Sequence, residues 1–138
     1  MRCTISEYTV VQLAMNDADC IIKALQELGY TAEVHNKAKN LEGWHGEKRQ
    51  QTANIIVNRQ QVHSAANDVG FLLKADGTYE MIISNFDRHA IHGKKFTQDL
   101  LQLYSKHKTR KQAIQMGYMV QSESIDNEGR MKIRITTG

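Results

Sequence analysis

The segment NDADCIIKALQELGY, residues 16–30, decides the fold class, because within it the spacing of apolar residues changes from that of a strand to that of a helix. Asn16 stands where a helix N-cap belongs, and Asp17 and Asp19 follow in the first turn, where the helix dipole favours negative charge. Ile21, Ala24, Leu25 and Leu28 recur at i, i+3, i+4 and i+7, so one face of the helix is apolar and must be buried against something. Gly29 ends the pattern at a position suited to a left-handed cap. Upstream, residues 3–13 are rich in Thr, Ile, Val and Tyr and read as a strand, and Tyr30 to His35 reads as a short second one.

Working outward, Ala53 to Arg59 and Val69 to Lys74 are strand-like, and Asp76-Gly77 turns the second of these into Thr78 to Ile83 as a tight hairpin. Phe96, Leu100, Leu103, Tyr104 and His107 mark a second amphipathic helix that extends through Ala113 and Ile114. Tyr118 to Ile125 and Met131 to Thr136 close the chain as another hairpin. The run Ala24 to Tyr30 is loosely echoed by Ala113 to Tyr118, each a helix that ends at Gly-Tyr, and glycine capping chemistry accounts for the echo. Residues 36–52 show no period and are expected to form an irregular surface excursion. The expectation is one α+β domain over residues 1–138, a mainly antiparallel sheet with two to three helices on one face, in the order β-α-β-β-β-α-β-β.

Composition narrows the function classes. The 138 residues are 41% hydrophobic and 24% charged, which suits one globular domain. Two cysteines, Cys3 and Cys20, exclude a disulfide-dense scaffold and a four-cysteine zinc module. No apolar run reaches the roughly 18 residues of a membrane span, and the first residues lack the pattern of a signal peptide, so a soluble, cytoplasmic protein with free thiols is expected. The net charge of +3 hides a polarity: from Arg88 to Lys111 seven bases meet one acid, Asp99, which leaves the remainder at −3. Proline is absent from the sequence.

The helix ending Ala24-Leu25-Gln26-Glu27-Leu28-Gly29-Tyr30, the segment Asp68-Val69-Gly70-Phe71, the hairpin Gly77-Thr78-Tyr79-Glu80, and Phe96 with Leu100 and Tyr104 together resemble the Ycf thirty-five family of conserved hypothetical proteins. That family is found in cyanobacteria, algal plastids, other bacteria and phages. Gly117-Tyr118 and Glu128-Gly129-Arg130 complete the pattern, in the same order along nearly the whole chain. Two stretches depart from it: Arg2-Cys3-Thr4 replaces a Ser-His-Phe-like start, and the middle from Lys37 to Thr52, with Trp44 and His45, differs. The resemblance implies no activity, cofactor or catalytic residue.

His89 and His92 could share a helical turn and reach one metal ion, but two ligands do not complete a site, and solvated histidines are the plainer reading. Cys20 lies near a helix start, which lowers a thiol pKa, yet Asp17 and Asp19 act against the thiolate, and a small buried hydrophobe fits better. No cofactor is expected. Lys94, Lys95, Lys106, Lys108, Arg110 and Lys111 form a basic patch; a basic helix end also complements the dipole of its own helix. The reading adopted is a non-enzymatic binding module whose partner is a protein, with Trp44 and His45 as further contacts, and a phage-borne inhibitor of a host system is one form of it. The alternatives are nucleic-acid or polyanion binding through the basic segment, with Arg59, Trp44 and Tyr104 as stacking partners, and a metal protein or enzyme built on His89 and His92.

Overall fold

A computed structural model describes residues 7–125, 128 and 131–137, with the backbone alone at residues 94, 118–125 and 131–137. The strands are β1 (Tyr8–Met15), β2 (Ala32–Glu42), β3 (Lys48–Val57), β4 (Val69–Leu73), β5 (Tyr79–Ser84), β6 (Tyr118–Ile125) and β7 (Met131–Thr137). The helices are α1 (Ala18–Glu27) and α2 (Lys94–Gln115), with a short 3-10 turn at Arg59–Gln61 and a π-helical turn at Asp87–Ile91. Four strands separate the helices, one more than the expected order allowed. β1 to β5 form an antiparallel sheet in the order β1-β5-β4-β3-β2, and β6 pairs with β7 in a separate hairpin that lies against α2.

The antiparallel pleat sorts the side chains of the sheet. Val11, Met81, Phe71 and Ile55 form one row across four strands, and Met81, Phe71 and Ile55 are buried beneath the helices. α1 contributes Cys20, Ile21, Ala24 and Leu25 to this core, and α2 contributes Phe96, Leu100 and Tyr104. Burying each large aliphatic side chain stabilises the fold by about 1.5–3 kcal/mol before ordering costs. Cys20 is 1% exposed, and burial is the first cause pushing its thiol pKa up, with Asp17 adding to it. It is therefore the small buried hydrophobe that its position suggested; Cys3 lies outside the described residues.

The neighbouring row, Val10, Ile82, Gly70 and Ile56, faces the other way. There Leu41, Ala53, Ile56 and Ile82 make a second, smaller core. Residues 36–52 supply its cover, so the expected irregular excursion is instead a β2–β3 hairpin. Two interruptions of register, between Val34 and Lys39 and between Asn40 and Glu42, break the alternation that identifies a strand. Leu41 lies over Gly70: a Cβ built on Gly70 would stand 2.5 Å from the Ala53 Cβ and 2.9 Å from a Leu41 methyl.

Helix and hairpin ends follow local chemistry. The N-cap of α1 is Asp17 rather than Asn16, with its Oδ1 accepting from the Cys20 N–H at 3.2 Å. Gly29 follows the helix with φ of 95°, as expected of a glycine there. At the β4–β5 turn Gly77 has φ of 88°, and Asp76 Oδ1 accepts from the Thr78 N–H and hydroxyl at 2.9 and 2.6 Å.

Candidate functional site

Of the basic segment, Arg88 lies on the π-helical turn and the other bases lie on α2, where Lys106, Lys108 and Lys111 are answered by acids of α1 and its cap. Lys106 Nζ lies 2.6 Å from Glu27 Oε1, and Lys108 and Lys111 reach Asp17 Oδ2 at 3.4 and 2.7 Å. Lys111 is also 3.9 Å from Asp19, and His107 Nε2 is 3.5 Å from Glu27. Lys95, with its side chain 84% exposed, stands one turn from Asp99 at 4.0 Å. The side chain of Lys94 lies outside the described set. Burial tends to raise the Asp17 carboxyl, but Lys111, the Cys20 N–H and Lys108 together outweigh it and hold the pKa at about 2. Glu27 balances in the same way: burial opposes ionisation, and Lys106 and His107 bring its pKa below the usual range. His107 is itself lowered, by burial first, with Glu27 pulling against it.

A groove of about 490 Å³ lies between the two helices, and of these pairs Lys111 with Asp19 lines it. Asp19 and Lys23 line it from α1, and His107, Arg110, Lys111, Ile114 and Gln115 line it from α2. Arg110, Lys111 and Ile114 stand at i, i+1 and i+4, which puts two cations and an apolar residue within one turn of helix. Ile114 is 55% exposed and Met116, just beyond, 69%.

The other candidates are spread over the molecule. His89 is exposed on the π-helical turn, and the His92 ring packs 4.3 Å from Phe96 and edge-on to Tyr30 at 5.9 Å. Burial lowers the pKa of His92, which favours its neutral form. Among the described residues no three His, Cys, Asp or Glu side chains are grouped to hold a metal ion. Trp44 and His45 stack with ring centroids 3.6 Å apart at the tip of the β2–β3 hairpin. Arg59 bonds Glu42 and the Trp44 carbonyl. Tyr104 is 5% exposed, its hydroxyl bonding Asn16 and Asp17, so it offers no face for stacking.

A buried polar cluster escaped the sequence reading: Asn67, Asp68, Ser84 and Asp87 are all 4% exposed or less. Asp87 accepts from the Asn67 N–H at 2.8 Å and from the Asn67 amide at 3.3 Å, while its own N–H donates to Ser84 Oγ at 3.0 Å. Asp68 accepts from the N–H groups of Glu42 and Arg59, both at 2.8 Å, and Asn67 Oδ1 accepts from the Trp44 N–H at 3.0 Å. Burial raises the pKa of both Asp68 and Asp87 against these donors. Raised carboxyls suggest chemistry at first sight. Here each one clamps a loop backbone, so the cluster fastens the 58–68 loop to the hairpin tip and to the end of β5. The one signal for it in the sequence is Asn67-Asp68 immediately before a strand, which turn preferences alone already explain.

A family model described as "Protein of unknown function (DUF1257)" matches residues 24–134. No curated protein matches the chain. No solved structure matches it either.

Proposed function

The chain belongs to the DUF1257 family of proteins of unknown function, and we propose that this member is a non-enzymatic binding module that docks a protein partner in the α1–α2 groove. The observation that carries the reading is the composition of that groove, where Lys23, Arg110 and Lys111 border the exposed Ile114. Interfaces combine an apolar centre with a charged rim, and charges at the rim select and steer the partner. The ion pairs from Asp17 and Glu27 hold α1 against α2, so the walls are fixed before anything binds, which limits the ordering cost of association. The finer likeness to the Ycf thirty-five proteins belongs to the same proposal and rests on the order of the shared motifs. The buried free thiol of Cys20 supports a reducing, cytoplasmic setting.

The test is a photo-crosslinking residue placed at Gln115 in the groove, with a control at exposed Lys37 on β2, in cells that make the protein. A discrete protein adduct from position 115 and none from position 37 is expected. Adducts to nucleic acid alone would replace this reading with the polyanion one, and no adduct from position 115 would remove the groove as a docking site.

A further inference from the structure

We propose that β1 is a self-pairing edge: a second copy of the chain adds its own β1 antiparallel to the first, about a two-fold axis at Val10, and joins two five-stranded sheets into one. The edge is open in a definite register. Glu7 O accepts from the Asn85 N–H at 2.9 Å, which makes Glu7 and Asn85 a hydrogen-bonded pair that continues the β1–β5 ladder. Such pairs alternate with non-bonded ones, so Thr9 and Val11 turn their N–H and C=O groups to β5, while Tyr8, Val10 and Gln12 turn theirs outward. These outward backbone groups have no hydrogen-bond partner among the described residues.

The strand's own sequence fits a second copy. Tyr8–Met15 carries no charge and no proline, and its register is regular from Tyr8 to Gln12, so the devices that normally blunt an edge are missing from that stretch. The opposite edge has them: β2 carries Glu33, Lys37, Lys39 and Glu42, its register breaks twice, and Asp68 takes both backbone groups of Glu42. Across a two-fold axis at Val10 that residue faces its own counterpart, Tyr8 faces Gln12 and Thr9 faces Val11. Every outward N–H and C=O is then paired, and no charge is set against its like. Val10 is 52% exposed although Ile82, its neighbour in the same row, is buried, and the counterpart valine covers it. The match is complete with nothing from outside the chain, which favours a second copy over a foreign strand. No residue of β1 lines the α1–α2 groove, so pairing here leaves that groove open.

The test is the mass of the full chain in solution, by sedimentation equilibrium from about 5 to about 200 μM, a range suited to the micromolar affinity of a small interface. A mass rising towards twice the 15.7 kDa of one chain is expected. Val10→Lys sets two ammonium groups face to face and should weaken self-association at least about tenfold. Val34→Lys, at an equally exposed site on the β2 edge, should leave it unchanged, with circular dichroism showing the fold kept in both variants. Where Val10→Lys fails to fold, Val10→Cys in a Cys3→Ser background decides the matter. Hydrogen-bonded partners in an antiparallel pair have Cα atoms about 5.5 Å apart, within disulfide reach. Oxidised glutathione should therefore give a covalent dimer from Val10→Cys and none from Val34→Cys in the same background. A chain that stays monomeric up to about 200 μM, a dimer that a folded Val10→Lys variant leaves intact, or cross-linking at position 34 in place of position 10 would each overturn the proposal.

Discussion

At the scale of single residues Asp17 does the most. One carboxylate caps α1, answers Lys108 and Lys111, and thereby joins the start of one helix to the end of the other. Asp17→Ala should lower stability by about 1–2 kcal/mol, roughly 1 for the cap and a few tenths for each solvent-screened pair, as read by urea denaturation. Its pKa of about 2 lies below the ordinary 3.8, so its contribution is complete above about pH 4 and is lost as pH falls towards 2. Asp17→Asn should flatten that acid limb of the stability curve, and an unchanged limb would place the effect in other carboxylates. The sequence pattern put Asn16 at the cap and Asp17 in the first turn, although the two residue types cap about equally well. The choice between them is tertiary, because the hydroxyl of Tyr104, 88 positions away from Asn16, takes the N–H groups of both. Tyr104→Phe should cost about 1–3 kcal/mol through those two abandoned donors, with helix content kept in the circular dichroism spectrum.

At the scale of elements, the two helices were legible because their apolar residues repeat at i, i+3 and i+4, and the β4–β5 hairpin because Asp76-Gly77 announces its turn. The β2–β3 hairpin was not, since its bulges shift the phase of a period of two and much of its length is polar and exposed. The groove was half legible: the cations of α2 stood out as a run, whereas their pairing with Asp17, Asp19 and Glu27 depends on helix contacts that no local pattern encodes. Gly70 reports on how closely that hairpin packs. Gly70→Ala should destabilise by about 1–3 kcal/mol, because neither the Ala53 Cβ nor Leu41, pinned in the second core, can retreat cheaply. Unchanged urea midpoints for this variant would mean that Leu41 moves freely.

At the scale of the whole molecule, two cores on opposite faces of one sheet are tied together by the Asn67, Asp68, Ser84 and Asp87 cluster at its end. Its carboxyls titrate in the sense opposite to Asp17: a pKa raised in the folded state favours folding at low pH, and that contribution is lost as pH rises from about 4 through the folded value. Asp87→Ala should therefore remove about 1–3 kcal/mol at low pH and less at neutral pH, by thermal denaturation across that range; a loss independent of pH would show that Asp87 is not protonated there. The sheet order has a consequence in time as well as in space. β1 and β2 follow each other in the chain yet occupy opposite edges, and the ladder partner of Tyr8 is Ser84. At a synthesis rate of about 5–20 residues per second, β1 leaves the ribosome roughly 4–15 s before β5 exists to receive it. For that interval eight consecutive uncharged residues, Tyr8–Met15, have no strand to join, which makes the nascent N-terminal half the stage at which this protein most needs a chaperone.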